Sequence, residues 1–358
     1  MIIKSKLKDY RVNIEQDFAF IEKLAKEENA QFVIDKNVFQ IYKDKFICIP
    51  ADKIYIVEAT EENKVIDTAL NICEKMTEIP AKRNVVMISL GGGIIQDITG
   101  FVANILYRGI KWVFVPTTLL AACDSCIGGK TSLNYKKYKN LLGTFYPPDE
   151  IYICSSFFST LSEKDYYSGL GEVIKFNLMD GTDGYDNISE NIKLLLERED
   201  RVVSRFVASS LEFKKDFIER DEFDKGERIK LNFAHTFGHA IEVISKYNIP
   251  HGTAVAIGMI IANYISVQRQ LLDIGFAEKV ERILLSIIKV DVTNIKKPIT
   301  DIVDAMRKDK KQINKELTAV LMTDIPRELC IIHDIKEWEV EKAFGHFYSL
   351  YEEISGGE

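Results

Sequence analysis

Between residues 84 and 106 a β-branched run, Asn84–Leu90, passes without a spacer into Gly91-Gly92-Gly93 and then into the helical pattern Ile94–Leu106. A buried strand that turns straight into a helix through three glycines fits an α/β layer structure and little else. The surrounding chain repeats the alternation. A helical pattern over 17–29 leads to the short strand Gln31–Asp35 and the turn Asp35-Lys36-Asn37. The strand Ile54–Val57 is followed by the acidic stretch Glu58–Glu62 and a helical pattern from Asn63 to Met76, and Trp112–Val115 and Ile151–Cys154 read as further strands. Strands alternating with helices predict a mainly parallel sheet. From Ser162 onward the pattern changes to long helices, with a weak strand pair near Leu317–Met322 and Leu329–Ile332. A chain of 358 residues with 46% hydrophobic content suits two domains. The expected division is 1–155, α/β, and 156–358, helical.

Several functions are disfavoured at this stage. No run of eighteen apolar residues spans a bilayer, and the N-terminus carries charges where a signal peptide needs its apolar segment, which predicts a cytoplasmic protein with no membrane partner. The six cysteines are scattered, as expected of reduced thiols. A net charge of −7 argues against a nucleic-acid surface, so any phosphate recognition must come from a local basic cluster.

Candidate chemistry lies in a few places. The stretch Lys230–Met259 holds three of the five histidines. His235 and His239 are four apart and share one helical face, while His251 opens the next apolar run after Pro250. Such a pair fits either packing or half of a metal site, which would need a carboxylate from elsewhere. Glu172, an acid within the apolar helical run Ser168–Lys175, is a candidate for that carboxylate. The triple glycine fits both a tight turn and a diphosphate-binding loop, but Gln96 stands where the third glycine of G-x-G-x-x-G belongs. Gly128-Gly129-Lys130-Thr131 lacks the leading glycine of a P-loop, which is Asp124 here. Cys123 and Cys126 have redox spacing without the strand and helix that such a motif needs. Lys130, Lys139, Lys175, Lys214, Lys310, Lys311 and Arg228 sit mostly beside glycines, Asn140 or the histidine stretch, which points to an anionic ligand.

In order along the chain, Asp35-Lys36-Asn37-Val38, Glu61-Glu62-Asn63-Lys64, Gly91–Asp97 with Gly100-Phe101, Pro116–Leu120, Asp124-Ser125, Gly128–Thr131 and Lys139-Asn140-Leu141 are followed by Gly171–Lys175, Leu231-Asn232-Phe233 with His235–His239, His251-Gly252 and Asp309-Lys310-Lys311. The sequence thereby resembles the 3-dehydroquinate synthases and the related sugar-phosphate cyclases from about Asp35 to Lys311. The resemblance implies a Rossmann-like NAD-binding α/β domain, a mainly α-helical metal-binding domain and a site in the cleft between them. It implies that Glu172, His235 and His251 bind Zn2+ or Co2+. Asp35, Asn37, Glu61, Lys64, Gly92, Gly93, Ile94, Asp97, Thr117, Thr118, Lys130, Lys139 and Thr160 would contact NAD. His239, Lys130, Asp124, Lys175 and Asn232 would take part in catalysis, and Lys139, Asn140, Lys214, Arg228 and Lys310 would hold a phosphosugar.

In that family the metal orients and acidifies two substrate hydroxyls, and NAD accepts a hydride and later returns it. Between those steps phosphate is eliminated, and an aldol closure then completes the carbocycle. The implied substrate is the seven-carbon keto-acid phosphate of the shikimate route, the implied product 3-dehydroquinate, and the implied assembly a homodimer. Gln96, Tyr138, Ala234 and Thr253 depart from the family pattern. Relatives acting on sedoheptulose 7-phosphate typically lose Asn232 and His239, and those acting on glucose 6-phosphate alter Gly128–Thr131, all of which this chain keeps. The alternatives are a divergent cyclase of a cyclitol pathway and a metal-dependent NAD polyol dehydrogenase. The latter usually carries Asp-x-x-Lys after the glycine loop, whereas Asp97 is followed here by Gly100.

Overall fold

The computed structural model describes residues 1–136, 138–308, 316–324 and 328–355. Two compact units emerge: Met1–Leu161 with Val203–Phe223, and Ser162–Val202 with Asp224–Glu358.

In the first unit the strands are β1 (Ile2–Ile3), β2 (Tyr10–Glu15), β3 (Ala30–Asp35), β4 (Ile54–Val57), β5 (Val86–Gly91), β6 (Lys111–Pro116), β7 (Lys130–Tyr135), β8 (Tyr138–Phe145) and β9 (Glu150–Cys154). Seven of them form one sheet in the order β1-β2-β9-β6-β5-β3-β4, parallel except for the β1–β2 edge. β5 is buried at every position, Val86 through Gly91, as a strand covered on both faces must be. Helices α1 (Ala19–Ala25), α2 (Lys36–Tyr42), α3 (Ile66–Thr77) and α4 (Gly93–Ile105) are the connections, with Trp112, Phe32 and Phe114 fully buried in the core. The parallel sheet is the expected one. The antiparallel hairpin β7–β8 was not anticipated, because β8 has no buried residue and so no apolar alternation to read.

The second unit holds α5 (Glu163–Met179), α6 (Thr182–Leu196), the start of α7 (Asp200–Arg220), α8 (His235–Ile244), α9 (His251–Gln268), α10 (Ile274–Ile287), α11 (Ile299–Arg307), the antiparallel pair β10 (Leu317–Met322) and β11 (Leu329–Ile335), and α12 (Glu337–Ser355). α9 is apolar all round and is the central helix, touching α5, α8, α10, α12 and β10.

The expected division at residue 155 differs from this partition in two ways. The turn Ser155–Thr160 stays with the first unit, because the Tyr42 hydroxyl bonds to Thr160 Oγ1 (2.7 Å) and the Phe157 ring packs on Phe18 and Tyr42. The segment Val203–Phe223 also joins it, through Ser204 Oγ to Ser155 Oγ (2.8 Å), Phe223 against Phe145, and Lys214 against Asp124. None of these contacts is periodic in sequence.

Arg269 ties the C-terminal helix into the second unit, gripping Glu339 with Nε and Nη2 (2.7 Å each) and Asp334 with Nη1 (2.8 Å). Burial pushes the Glu339 carboxyl up, but Arg269 outweighs it and holds the group below its ordinary value. A depressed folded-state pKa stabilises fully above the unfolded value near about 4.3 and loses that effect as pH falls through the folded value. Arg269→Met is therefore expected to cost about 2–3 kcal/mol at pH 7 and less below about pH 4. Urea unfolding at the two pH values measures both.

Candidate active site

In the first unit, β3 lies between β4 and β5, with Ile34 opposite Leu90. The chain leaves β3 toward β4 on one side and leaves β5 toward β6 on the other. Crevices at such reversals, outside the C-terminal strand ends, are where open α/β sheets bind ligands. Asp35 ends β3 and caps α2 by accepting from Asn37 N (2.9 Å). Gly92 is the N-cap of α4 and Gly93 and Ile94 open it, so the orphan N–H groups of this helix start beside Asp35 in the sheet. A Cβ on Gly92 would press on Thr118 Cγ2 at 3.0 Å, which brings the turn after β6 against the glycine loop. Thr117 beside it is buried.

Five of the sequence candidates form one polar network. Lys64 Nζ contacts Asp97 Oδ2 (2.5 Å) and donates to Asn140 Oδ1 (2.7 Å), and Lys139 Nζ lies 3.7 Å from Glu61 Oε1. Ser132 and Asn134, which the sequence reading passed over, complete it. Ser132 Oγ lies 2.9 Å from both Asp97 Oδ2 and Asn140 Oδ1, while Asn134 Nδ2 donates to Glu61 Oε2 (2.8 Å) and its Oδ1 accepts from Asn140 N (2.9 Å). Burial pushes the Asp97 carboxyl up, against the pull of Lys64. Lys130 begins β7 with an exposed side chain. Asp124 Oδ1 accepts from Lys214 Nζ (2.7 Å), which also reaches the carbonyl oxygens of Asp124 (2.5 Å) and Ile127 (3.3 Å). Thr160 is held by Tyr42 and is not part of this network.

In the second unit the three expected metal ligands come together on α5, α8 and α9. Glu172 is fully buried, and its Oε1 lies 3.5 Å from Nε2 of both His235 and His251. Bare helix backbones bring these side chains close. A Cβ on Gly171 would sit 2.0 Å from the Gly252 carbonyl oxygen, and one on Gly252 would sit 1.7 Å from that of Ser168. Glu172 and His251 are the chain neighbours of these glycines. Ser168 Oγ also accepts from Gly252 N (3.0 Å), satisfying an orphan donor at the start of α9. Between α8 and α9 a Cβ on Gly258 would meet the Ala234 carbonyl oxygen at 2.5 Å. Ala234, one of the departures from the family pattern, precedes His235 at φ 68°, a left-handed conformation costing an alanine about 1–2 kcal/mol.

Each histidine of this cluster has its other nitrogen occupied. His235 Nδ1 bonds the Phe233 carbonyl (3.0 Å) and His251 Nδ1 bonds Glu242 Oε2 (3.1 Å). Acceptors at both Nδ1 positions hold a proton there, so Nε2 is the nitrogen left to meet a metal. Burial opposes charge on His251, but Glu172 and Glu242 on either side outweigh it and push the ring up to about 10. The pocket is built for positive charge. Two imidazole nitrogens and a carboxylate oxygen, all within 4.8 Å of one another, are a zinc-type donor set. Bonds of about 2.0–2.2 Å in a tetrahedral site put neighbouring donors roughly 3.4 Å apart, which matches the 3.5 Å found here.

His239 stands with its ring 5.3 Å from that of His235 and 5.8 Å from that of His251; it lies outside the Glu172–His235–His251 group and forms a second close donor group with Glu242 and His251. Lys175 Nζ pairs with Glu172 Oε2 and bonds the Leu231 carbonyl (3.2 Å), so it is buried against the same carboxylate. Arg228 is buried in the 3-10 segment Glu227–Asn232, which ends on Asn232. Lys310 lies outside the described residues. Glu242 is a further functional candidate that sequence reading missed. Its signal was available, since it follows His239 by three residues and so shares its helical face.

The solved structure of 2-epi-5-epi-valiolone synthase from Streptomyces hygroscopicus subsp. jinggangensis, with NAD+ and Zn2+ bound, superimposes with a TM-score of 0.82 at 23% identity, covering 97% of this chain and 99% of that one. The structure of 2-deoxy-scyllo-inosose synthase complexed with carbaglucose-6-phosphate, NAD+ and Co2+ gives 0.82 at 21%, covering 96% and 98%. The fold is thus the one used by this class of synthases. Residues 54–168 match the 3-dehydroquinate synthase N-terminal model and residues 169–312 the C-terminal one. A 3-dehydroquinate synthase of Dictyoglomus thermophilum is 35% identical over 343 residues, 96% of this chain and 92% of the relative. The chain belongs to the 3-dehydroquinate synthase family.

Glu242→Gln is expected to weaken binding of added Zn2+ or Co2+ by 10- to 100-fold on the order expected for a lost orienting carboxylate, measured by chelator competition. Gly252→Ala is expected to cost about 3 kcal/mol or more in thermal unfolding, because its new Cβ meets backbone rather than a movable side chain.

Proposed function

We propose that this chain is a 3-dehydroquinate synthase, converting a seven-carbon keto-acid phosphate to 3-dehydroquinate and inorganic phosphate. The observation that carries the reading is the meeting of Glu172, His235 and His251 at zinc-type spacing in a chain whose two halves match the two models of this family. Retention of Asn232, His239 and Gly128–Thr131 supports this substrate over other phosphosugars.

Glu172, His235 and His251 would hold Zn2+ or Co2+, which when bound supplies Lewis acidity to substrate hydroxyls, and the crevice between Asp35 and Gly92–Ile94 would hold NAD, which supplies a reversible hydride acceptor. The Nδ1 acceptors, Phe233 O and Glu242, orient the two imidazoles. Lys64 and Asp97 fix the floor of the dinucleotide crevice through Ser132 and Asn140. Lys139, Asn140, Lys214, Arg228 and Lys310 would supply the donors for phosphate and carboxylate, and Lys130, Asp124, Lys175 and Asn232 would complete the catalytic set. His239, next to the metal ligands but outside their triad, would hold and move a proton. The expected homodimer is supported by apolar side chains left exposed on Ile41 of α2 and Ile56 of the edge strand β4. A cytoplasmic location is supported by the six cysteines, all reduced thiols.

Purified protein supplied with NAD and zinc should release inorganic phosphate from the seven-carbon keto-acid phosphate with no net NADH. Turnover of sedoheptulose 7-phosphate or glucose 6-phosphate in its place would overturn the substrate assignment, and NADH accumulating with glycerol would indicate a dehydrogenase. His239→Ala should retain zinc while losing roughly 100-fold or more in kcat. His235→Ala should lose the metal itself.

A further inference from the structure

Gln96 lies one turn into α4, at the position where the dinucleotide fingerprint has its third glycine. It is 3% exposed, and both ends of its amide are used by one residue. Nε2 donates to the Ser125 carbonyl oxygen (2.6 Å), and Oε1 accepts from Ser125 Oγ (2.6 Å). Ser125 closes the π-helical segment Ala121–Ser125. A helical end leaves carbonyl groups without intrahelical partners, and single π turns occur mostly at functional positions. Here two side chains from other elements take those carbonyls. Lys214 of α7 takes Asp124 O and Ile127 O together with the Asp124 carboxylate, and Gln96 of α4 takes Ser125 O. The turn carrying Asp124 is therefore pinned from two sides.

Ser125 also adjoins the glycine loop. A Cβ added to Gly93 would find Ser125 Oγ as its neighbour, at 3.7 Å. With its proton given to Gln96 Oε1, that hydroxyl offers only lone pairs toward the start of α4. The amide of Gln96 is committed to Ser125 and leaves the crevice at Asp35 and Gly92 to the loop backbone.

We propose that Gln96 is a positioning residue that fixes the Asp124–Ser125 turn, and with it the Asp124–Lys214 pair, for the anionic substrate, without acting on the dinucleotide. Its activity arm rests on the function proposed above, whereas its binding and exchange arms do not. The departure at residue 96 thus replaces a backbone feature with a side-chain cap.

The test compares the wild-type protein with Gln96→Met, which keeps the volume and removes the amide, and with Ser125→Ala, which removes only the hydroxyl partner. In Gln96→Met, amides of residues 121–129 should exchange with deuterium at least tenfold faster, with no change in α9. NAD affinity measured by calorimetry should stay within twofold. For the keto-acid phosphate, kcat/KM should fall about tenfold. Ser125→Ala should lose two- to fivefold, and adding it to Gln96→Met should cost less than a further twofold, because both variants remove the same contact. Unchanged exchange over 121–129, or tenfold tighter NAD binding in Gln96→Met, would overturn the proposal, the second by showing that the amide obstructs the dinucleotide loop. If the wild type does not turn over the keto-acid phosphate while exchange and NAD binding behave as stated, the function falls and the positioning role stands. If Gln96→Met fails to fold, Ser125→Ala decides by the same exchange readout.

Discussion

The backbone-to-backbone contact of α5 with α9 is the constraint on which the metal cluster depends. Gly171 and Gly252 let the two helices approach until a single methyl group on either would overlap a carbonyl oxygen. Since Glu172 and His251 follow or precede these glycines directly, the closeness of the ligands is a by-product of the closeness of the helices. The α8–α9 contact extends the logic, with Gly258 facing the Ala234 carbonyl and Ala234 held in a left-handed conformation immediately before His235. Strain of this kind persists only where surrounding structure over-determines it, and it collects at functional sites.

Charge is handled differently in the two units. In the second, Glu172 and Lys175 are both buried and paired, an arrangement whose desolvation cost is several kcal/mol per ion and which is weak as a source of stability. Such a pair is better explained by chemistry than by folding. In the first unit, Lys64 and Asp97 are also in direct contact, but Ser132, Asn134 and Asn140 surround the pair with neutral amides and hydroxyls and extend it to Glu61. That network holds β7 and β8 to the segment Glu61–Lys64, although β8 buries none of its residues.

Much of this was legible in the sequence because local periodicity controlled it. The strand-glycine-helix unit at Gly91–Gly93, the parallel sheet, the helical half and the weak pair that became β10 and β11 all carry hydrophobic patterns of period 2 or 3.6. The Glu172, His235 and His251 set was an open candidate from residue chemistry, and only the ordered motifs singled it out, since no spacing rule links residue 172 to residue 235. What escaped had other causes. The β7–β8 hairpin is held by polar side chains, Ser132 and Asn134 act across elements, and Val203–Phe223 joins the first unit through isolated contacts of Lys214, Ser204 and Phe223. Gln96 looked like a defect in a glycine motif, and only its partner Ser125 reveals what the amide does.

The burial of α9 carries a consequence for how the protein assembles. Three donors arriving from helices that begin at Glu163, His235 and His251 cannot converge in a chain that has only its secondary structure. They meet once the glycine-lined helix faces have locked, so a loosely collapsed form with swollen side-chain packing would lack the ion's coordination geometry. Binding that discriminates so sharply between native and expanded states adds its free energy entirely to the former. An ion held there would act as a late checkpoint on folding, retained by chains whose core has reached its final density and lost by those that have not.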